Sequence, residues 1–274
     1  MPLKHRPGPL LSRPPAPIGA GHPLAGVFVV GVLDRELASS ADGLTRWTRL
    51  PDAFVTMGDS LRASVAGMSW SPIHNERAAL AEDLAGLAEP QWATQSLCDQ
   101  FTVREVLAHL TAGASLNPVR WMAGVIRCRF DFDRQVALRL SEQLGAGPAE
   151  TLARFRRVAT STTRPPLPVL AMLGETVVHG EDIRRPLGIE RDYPMATLTA
   201  LAGYYQGSDL PALTRKRAAG LRLTATDGPF AAGAGPAVTG PALALVMAMA
   251  GRAPYCDELD GDGVATLRER QPAT

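Results

Sequence analysis

Gly174-Glu175-Thr176-Val177-Val178-His179-Gly180-Glu181-Asp182 is the stretch on which the reading of this chain turns. Glu175 and His179 stand four residues apart, so on a helix their side chains share one face and converge on one point. A carboxylate oxygen and an imidazole nitrogen are both ordinary ligands of zinc and other divalent transition metals. Two ligands on one helix need a third from elsewhere. Of the five histidines, His5 and His22 lie near the N-terminus, which leaves His74 and His109. His109 follows Val106 by three residues and precedes Leu110, beside the inward face of its helix, and is the better third ligand. Glu-x-x-x-His is also a common accident. On spacing alone, a solvated Glu175/His179 pair and an inward His109 bonded to a carbonyl make the simpler account. Asp182, three residues after His179, is placed either to accept a proton from the second ring nitrogen or to pair with Arg184 or Arg185.

Around this stretch the sequence is mostly helical. Ser71-Pro72 reads as a helix N-cap followed by proline at the first helical position. The helix runs to about Ala88 with Ile73, Leu80, Leu84 and Leu87 on one side. Thr102-Val103-Arg104-Glu105 is a capping box opening the helix that carries His109. Residues 118–145 give a third helical stretch, with Phe130-Asp131-Phe132-Asp133 as a local kink or strand-like passage. Pro148 opens a helix to about Ala159, and Val169 to Arg185 forms another that Pro186 stops. A further helix is expected near 195–205, which together makes an antiparallel bundle. After that, Leu221 to Thr226 alternates with period two before Asp227-Gly228-Pro229, as a strand does. Pro241 to Ala250 is an apolar helix closed by Gly251, and Gly261-Asp262-Gly263 turns into a short final strand at Val264 to Leu267.

The organisation expected is therefore a leader over 1–67, a metal-binding helical bundle over 68–205 and a small α/β domain over 206–274. The leader is punctuated by proline, glycine and arginine and holds no helical period, as expected of a disordered extension or of residues upstream of the natural start. Its apolar segment from Leu24 to Leu33 superficially resembles a secretory core, but Asp34-Arg35-Glu36 stands where small residues belong for cleavage.

Bulk properties exclude several classes. A formal net charge of +1, from 28 basic and 27 acidic residues, supplies no field for nucleic acid or an anionic membrane. No apolar run approaches the roughly 18 residues of a spanning helix. Cys98, Cys128 and Cys256 are odd in number and have no short spacing, which fits a reducing, cytoplasmic setting, each read as a small buried hydrophobe. Small-molecule partners are expected.

Two signatures carry a resemblance. Trp92 through Leu110, with Ser96-Leu97-Cys98 and Phe101-Thr102-Val103-Arg104 leading into His109, looks like the second-helix signature of the mycothiol-dependent maleylpyruvate isomerase family, within the larger DinB-like bundles. Gly174 to Gly188 resembles the signature in which the Glu and His are ligands, and Thr226-Asp227-Gly228, Val238 to Pro241 and Gly251-Arg252 resemble the family's C-terminal domain. One departure is Gln100-Phe101, where the family more often shows Gly-Trp. The resemblance implies a mainly α protein, a DinB-like four-helix bundle followed by a small α/β C-terminal domain. It implies a divalent metal, usually zinc, on His109, Glu175 and His179, with mycothiol as thiol cosubstrate and a small electrophile as partner. The reaction implied is isomerisation, with thiol S-transfer to other electrophiles and non-catalytic metal binding as alternatives. Arg252 is read either as a helix-end charge or as a catalytic fork for a carboxylate of substrate or thiol.

Truncation at Met68 is expected to leave a folded chain with its full metal content, because the leader lies outside both periodicity and resemblance. Loss of soluble protein on truncation, read by expression and circular dichroism, is the contrary outcome.

Overall fold

The computed structural model describes residues 69–98, 100–210 and 213–272; the leader expected over 1–67 lies outside them. Helices α1 (Ser71–Asp83), α2 (Val103–Ser115), α3 (Pro118–Arg127), α4 (Phe132–Leu144), α5 (Pro148–Val158), α6 (Val169–Leu187) and α7 (Met195–Gly207) come first. After the short α8 (Thr214–Ala218) follow strands β1 (Arg222–Ala225), β2 (Ala231–Gly233) and β3 (Ala237–Gly240), then α9 (Ala242–Met249) and α10 (Val264–Glu269). The chain is mainly α with a small three-stranded sheet of order β2-β1-β3, as the sequence implied. β1 runs antiparallel to β2 and parallel to β3, pairing Leu223 with Ala232 and Val238.

Local chemistry explains most boundaries. The capping box at α2 is complete: Thr102 N–H donates to Glu105 Oε2 at 2.8 Å, and Glu105 N–H donates to Thr102 Oγ1 at 3.4 Å. This sets the register that places His109 seven residues further on. Ser71 does not cap α1; Trp70 holds that position, and the Ser71 N–H is bound instead by Ser69 Oγ at 3.1 Å. The expected kink separates α3 from α4. Arg129 (φ 55°) and Phe130 (φ 64°) both take left-handed conformations there, unusual for residues with side chains, and Asp131 then caps α4 through Arg134 N–H.

Two further expectations are corrected. Pro186 does not stop α6, which continues to Leu187 and ends at Gly188, a left-handed residue (φ 67°). Proline withholds only the N–H that would have reached Asp182 O. That carbonyl accepts from Leu97 N–H at 3.0 Å, so the proline opens a docking point for the loop before α2. The final strand is also absent: Val264 to Glu269 is helical, because Leu267 N–H closes on Gly263 O at 3.0 Å. Val264 and Leu267, three residues apart, then meet the core on one side. The β3 strand is bridged instead by Asp260, with Thr239 and Asp260 exchanging hydrogen bonds at 2.8 Å.

One apolar core joins Leu170, Leu173 and Val177 of α6 with Leu201 and Tyr205 of α7, Leu223 of β1 and Leu245 and Met249 of α9. A second lies under α1, α2 and α5, built on Leu80, Val103, Leu107 and Phe155. The first core runs across the 205/206 position at which a second domain is expected to begin.

Gly174 fixes how closely α6 and α7 approach, since a Cβ there would sit 2.4 Å from the Tyr205 hydroxyl oxygen. Gly174→Ala is therefore expected to destabilise the protein by about 1–3 kcal/mol, read as a drop in the urea midpoint. Combining it with Tyr205→Phe, which removes the colliding oxygen, is expected to recover part of the loss; additive penalties would show that the clash is not the cause.

Candidate metal centre

The inward face of α2 presents His109, and α6 presents Glu175 and His179 one turn apart. Glu175 Oε2 lies 3.5 Å from His109 Nε2 and 3.4 Å from His179 Nε2. The two rings stand nearly edge to face, with centroids 4.9 Å apart and planes at 75°. One donor atom from each residue lies within 4.8 Å of the others. Nitrogen and oxygen ligands about 2.0–2.2 Å from a zinc at the tetrahedral angle are about 3.4 Å apart, so the separations of Glu175 from the two histidines match those of two zinc ligands around one ion. The residues present fit a divalent metal in spacing and in donor chemistry.

The electrostatics are those of a buried cluster. Burial alone would raise the Glu175 carboxyl, but hydrogen bonding from His109 and His179 outweighs it and holds the group down to about 2. Burial also lowers His109, against the pull of Glu175. His179 moves the other way: although burial opposes its charging, the hydrogen bond to Asp182 and its contacts with Cys98 and Glu175 raise it well above its usual value.

Asp182 holds the far side of that ring. His179 Nδ1 donates to Asp182 Oδ2 at 2.8 Å, which turns Nε2 toward Glu175. Asp182 is fully buried, and its oxygens are filled by four donors. Arg252 Nε reaches Oδ1 at 2.8 Å, and Arg252 Nη2 reaches Oδ2 at 2.5 Å. The Cys98 thiol donates to Oδ2 at 3.0 Å, and His179 completes the set. Burial would raise the Asp182 carboxyl, and the Arg252 guanidinium reverses this and drives it below the usual range.

Arg252 owes its position to the end of α9. Gly251 (φ 95°) lets Gly251 N–H close on Ala248 O at 3.1 Å and Arg252 N–H on Met247 O at 3.0 Å, a left-handed helix stop that turns the next side chain inward. The side chain does cross toward the site, as one of its two readings held. Its fork, however, is taken by Asp182, and Nη1 donates to Ala250 O at 2.9 Å. The carboxylate it was expected to hold for substrate is a protein carboxylate, which makes Arg252 a positioning residue in this geometry. Arg184 and Arg185, the other partners considered for Asp182, turn elsewhere, to Asp83 and Glu258 respectively.

His74 stays out of the cluster and stacks on Trp70 at 6.0 Å. Cys98 was read as a plain buried hydrophobe, and its site contacts were missed. Its Sγ accepts from Arg252 Nη2 at 3.3 Å and lies 3.7 Å from His179 Nδ1; the available signal was its place in the Ser96-Leu97-Cys98 motif. A small, half-open cavity lies at His109, walled by Leu116, Trp121, Phe132, Val136 and Gln135. None of these wall residues was singled out from the sequence, because they meet only through the left-handed turn at Arg129 and Phe130.

Fold and site together define a class: a helical bundle with a His/Glu/His cluster on two facing helices, followed by a small α/β unit. Comparison with known proteins gives it a family likeness. Residues 73–166 match the family model of the mycothiol maleylpyruvate isomerase N-terminal domain, a span that includes His109 and ends before Glu175. A solved structure of the mycothiol-dependent maleylpyruvate isomerase, a histidine-to-alanine variant, superposes with a TM-score of 0.50 at 14% identity, covering 70% of this chain and 90% of that one. A second structure of the mycothiol-dependent maleylpyruvate isomerase gives a TM-score of 0.44, also at 14% identity and with the same coverage. No curated protein matches the chain significantly. The resemblance to this family is thus shown by its first domain and by the fold.

Arg252→Met is expected to cost about 3–5 kcal/mol, the usual penalty for stranding one partner of a buried ion pair. Denaturant unfolding of the metal-free chain measures it. Unchanged stability would mean that Arg252 serves a bound ligand rather than Asp182.

Proposed function

We propose that this chain is a metal-dependent enzyme that converts a low-molecular-weight thiol, mycothiol, into a nucleophile against a small electrophile. The observation that carries the reading is the spacing of the His109, Glu175 and His179 donor atoms. When bound there, a divalent ion such as zinc lowers the pKa of a thiol that coordinates it.

The chain's residues have distinct parts in this reading. His109 and His179 contribute neutral nitrogens and Glu175 a single negative charge, which leaves net positive charge for an incoming thiolate. Asp182 holds His179 in one tautomer and orientation, and Arg252 holds Asp182. The mostly apolar cavity at His109 offers the electrophile a place beside the cluster.

Two outcomes are open to one nucleophile. Addition to the double bond of maleylpyruvate, rotation about the resulting single bond and release of the thiol give isomerisation, the activity named for the structural relatives. Retention of the thiol on the electrophile gives S-transfer, the reading that the apolar walls of the cavity favour. The partners implied are small molecules. Among the described residues no helix is long and apolar enough to cross a membrane.

Purified protein is expected to carry about one divalent ion per chain. His109→Ala and His179→Ala should each strip most of it, and Glu175→Gln should weaken binding by removing the charged ligand. Metal analysis by mass spectrometry checks this, and full occupancy in both histidine variants would sink the assignment. A mycothiol-dependent screen against maleylpyruvate and generic electrophiles tests the chemistry; metal without thiol-dependent turnover favours a binding protein.

A further inference from the structure

Helix α3 is apolar on both sides. Trp121, Gly124 and Val125 face inward, while Val119, Met122 and Ile126, at spacings of three and four, form a stripe on the opposite side. Phe130 adds a fourth apolar side chain from the turn that follows. Its N–H closes on Val125 O at 2.9 Å, and the left-handed backbone at Arg129 and Phe130, costly for residues with side chains, leaves the ring outside. Exposure runs from 47% at Met122 to 78% at Val119, and these are four of the five large apolar side chains exposed among the described residues. Single exposed apolar residues are ordinary, but four gathered on one helix and its turn mark a face that receives something. The helix has little else to hold it. Its inner face belongs to a small cluster of Leu116, Trp121, Val125 and Phe132, apart from both main cores.

The charge around the stripe selects among occupants. Arg120, Arg127 and Arg129 are exposed beside it, and α3 itself holds no acidic residue. The next acid along the chain, Asp131, is engaged in capping α4. A second copy fits poorly, because antiparallel pairing of two such faces would set the Arg120 end of one helix against the Arg127 end of the other, like charge against like. An apolar occupant with carboxylates at one edge fits well.

We propose that this face is covered by residues 24–36 of the chain itself. Leu24 to Leu33 is a run of ten residues without a charge, and Asp34-Arg35-Glu36 follows at once with two carboxylates. The run lies on Val119, Met122, Ile126 and Phe130, with Asp34 and Glu36 toward the arginines, and two apolar surfaces leave water together. The chain's path allows it. The described part begins at Ser69, two residues before α1. Arg77 of α1 donates to Ser161 O at 3.0 Å, and Ser161 Oγ donates to Ala114 O at 2.9 Å. Ala114 stands three residues before Asn117, the cap of α3, so the first half of α1 is near the point from which α3 departs. The stretch from Leu37 to Met68 reaches up to about 100 Å. Attachment makes the encounter intramolecular, so a contact too weak to hold a free peptide suffices. The cover touches neither main core, which keeps it compatible with a folded chain truncated at Met68. It is independent of the thiol-activating reading above.

Hydrogen–deuterium exchange of the purified full chain, read by mass spectrometry, tests the cover. Amides of 24–33 are expected to exchange at least about tenfold more slowly than their sequence-intrinsic rates. Ile126→Asp, at an exposed position, should remove that protection with the fold intact by circular dichroism. Val29→Asp should remove it from the other side and should also quicken exchange in 118–127. Intrinsic rates at 24–33 in the full chain, or protection unchanged in folded Ile126→Asp, would overturn the proposal. So would protection that appears only as sedimentation equilibrium shows a dimer forming, which puts a second copy on the face.

Discussion

Asp182 is a carboxylate with no access to solvent, and the site depends on how its charge is met. A buried charge costs several kcal/mol unless it is paired and hydrogen-bonded. Here the pairing draws on three parts of the chain: Arg252 from the end of α9, Cys98 from the loop before α2, and His179 from one turn earlier on α6. Satisfying one carboxylate therefore ties the C-terminal unit, the loop before α2 and the ring of a candidate ligand to a single point. The same residue fixes the loop through its backbone, since Asp182 O accepts from Leu97 N–H. Pro186 leaves that carbonyl free, because an ordinary residue in its place would bond it within the helix.

A second buried network steadies the same helix. Glu181, the neighbour of Asp182, accepts from Tyr193 at 2.7 Å and from Tyr255 at 2.6 Å. Arg184 reaches Tyr193 at 2.8 Å. Tyr255 lies in the short 3₁₀ helix Ala253–Glu258 that follows Arg252, so α6 and the C-terminal unit are joined twice, once through Asp182 and once through Glu181. Glu175 and His179 thus sit on a helix whose rotation and height are set from both flanks, the kind of rigid support a convergent site needs.

How much of this was legible in the sequence follows from how local each signal was. The Glu175/His179 spacing and the Thr102/Glu105 box are patterns within four residues, and the structure brings the three expected donors together. Asp182 was legible as a choice between His179, which it does bond, and nearby arginines; its further partner Arg252 lies 70 residues away and left no mark in the local pattern. Arg252 was seen as a side chain crossing to the site, but no pattern along the chain could show that a protein carboxylate already filled its fork. The last strand was misread because Val264 to Leu267 is short and apolar enough for either period; tertiary contact with the core and the Asp260 bridge decided for helix. The cavity was illegible, since Trp121, Phe132 and Gln135 come together across a turn of two left-handed non-glycine residues that no motif announces.

Charge balance links the cluster to the cavity. With both histidines neutral, Glu175, Asp182 and Arg252 leave one negative charge in the buried shell. In the proposed reading, a divalent ion held there would turn that into one positive charge, and a thiolate would bring it to zero. A neutral electrophile would preserve that balance, whereas a dianion would add two negative charges beside walls that are mostly apolar. The same low-polarity surroundings that make an unpaired charge costly also strengthen the attraction between the ion and the thiolate.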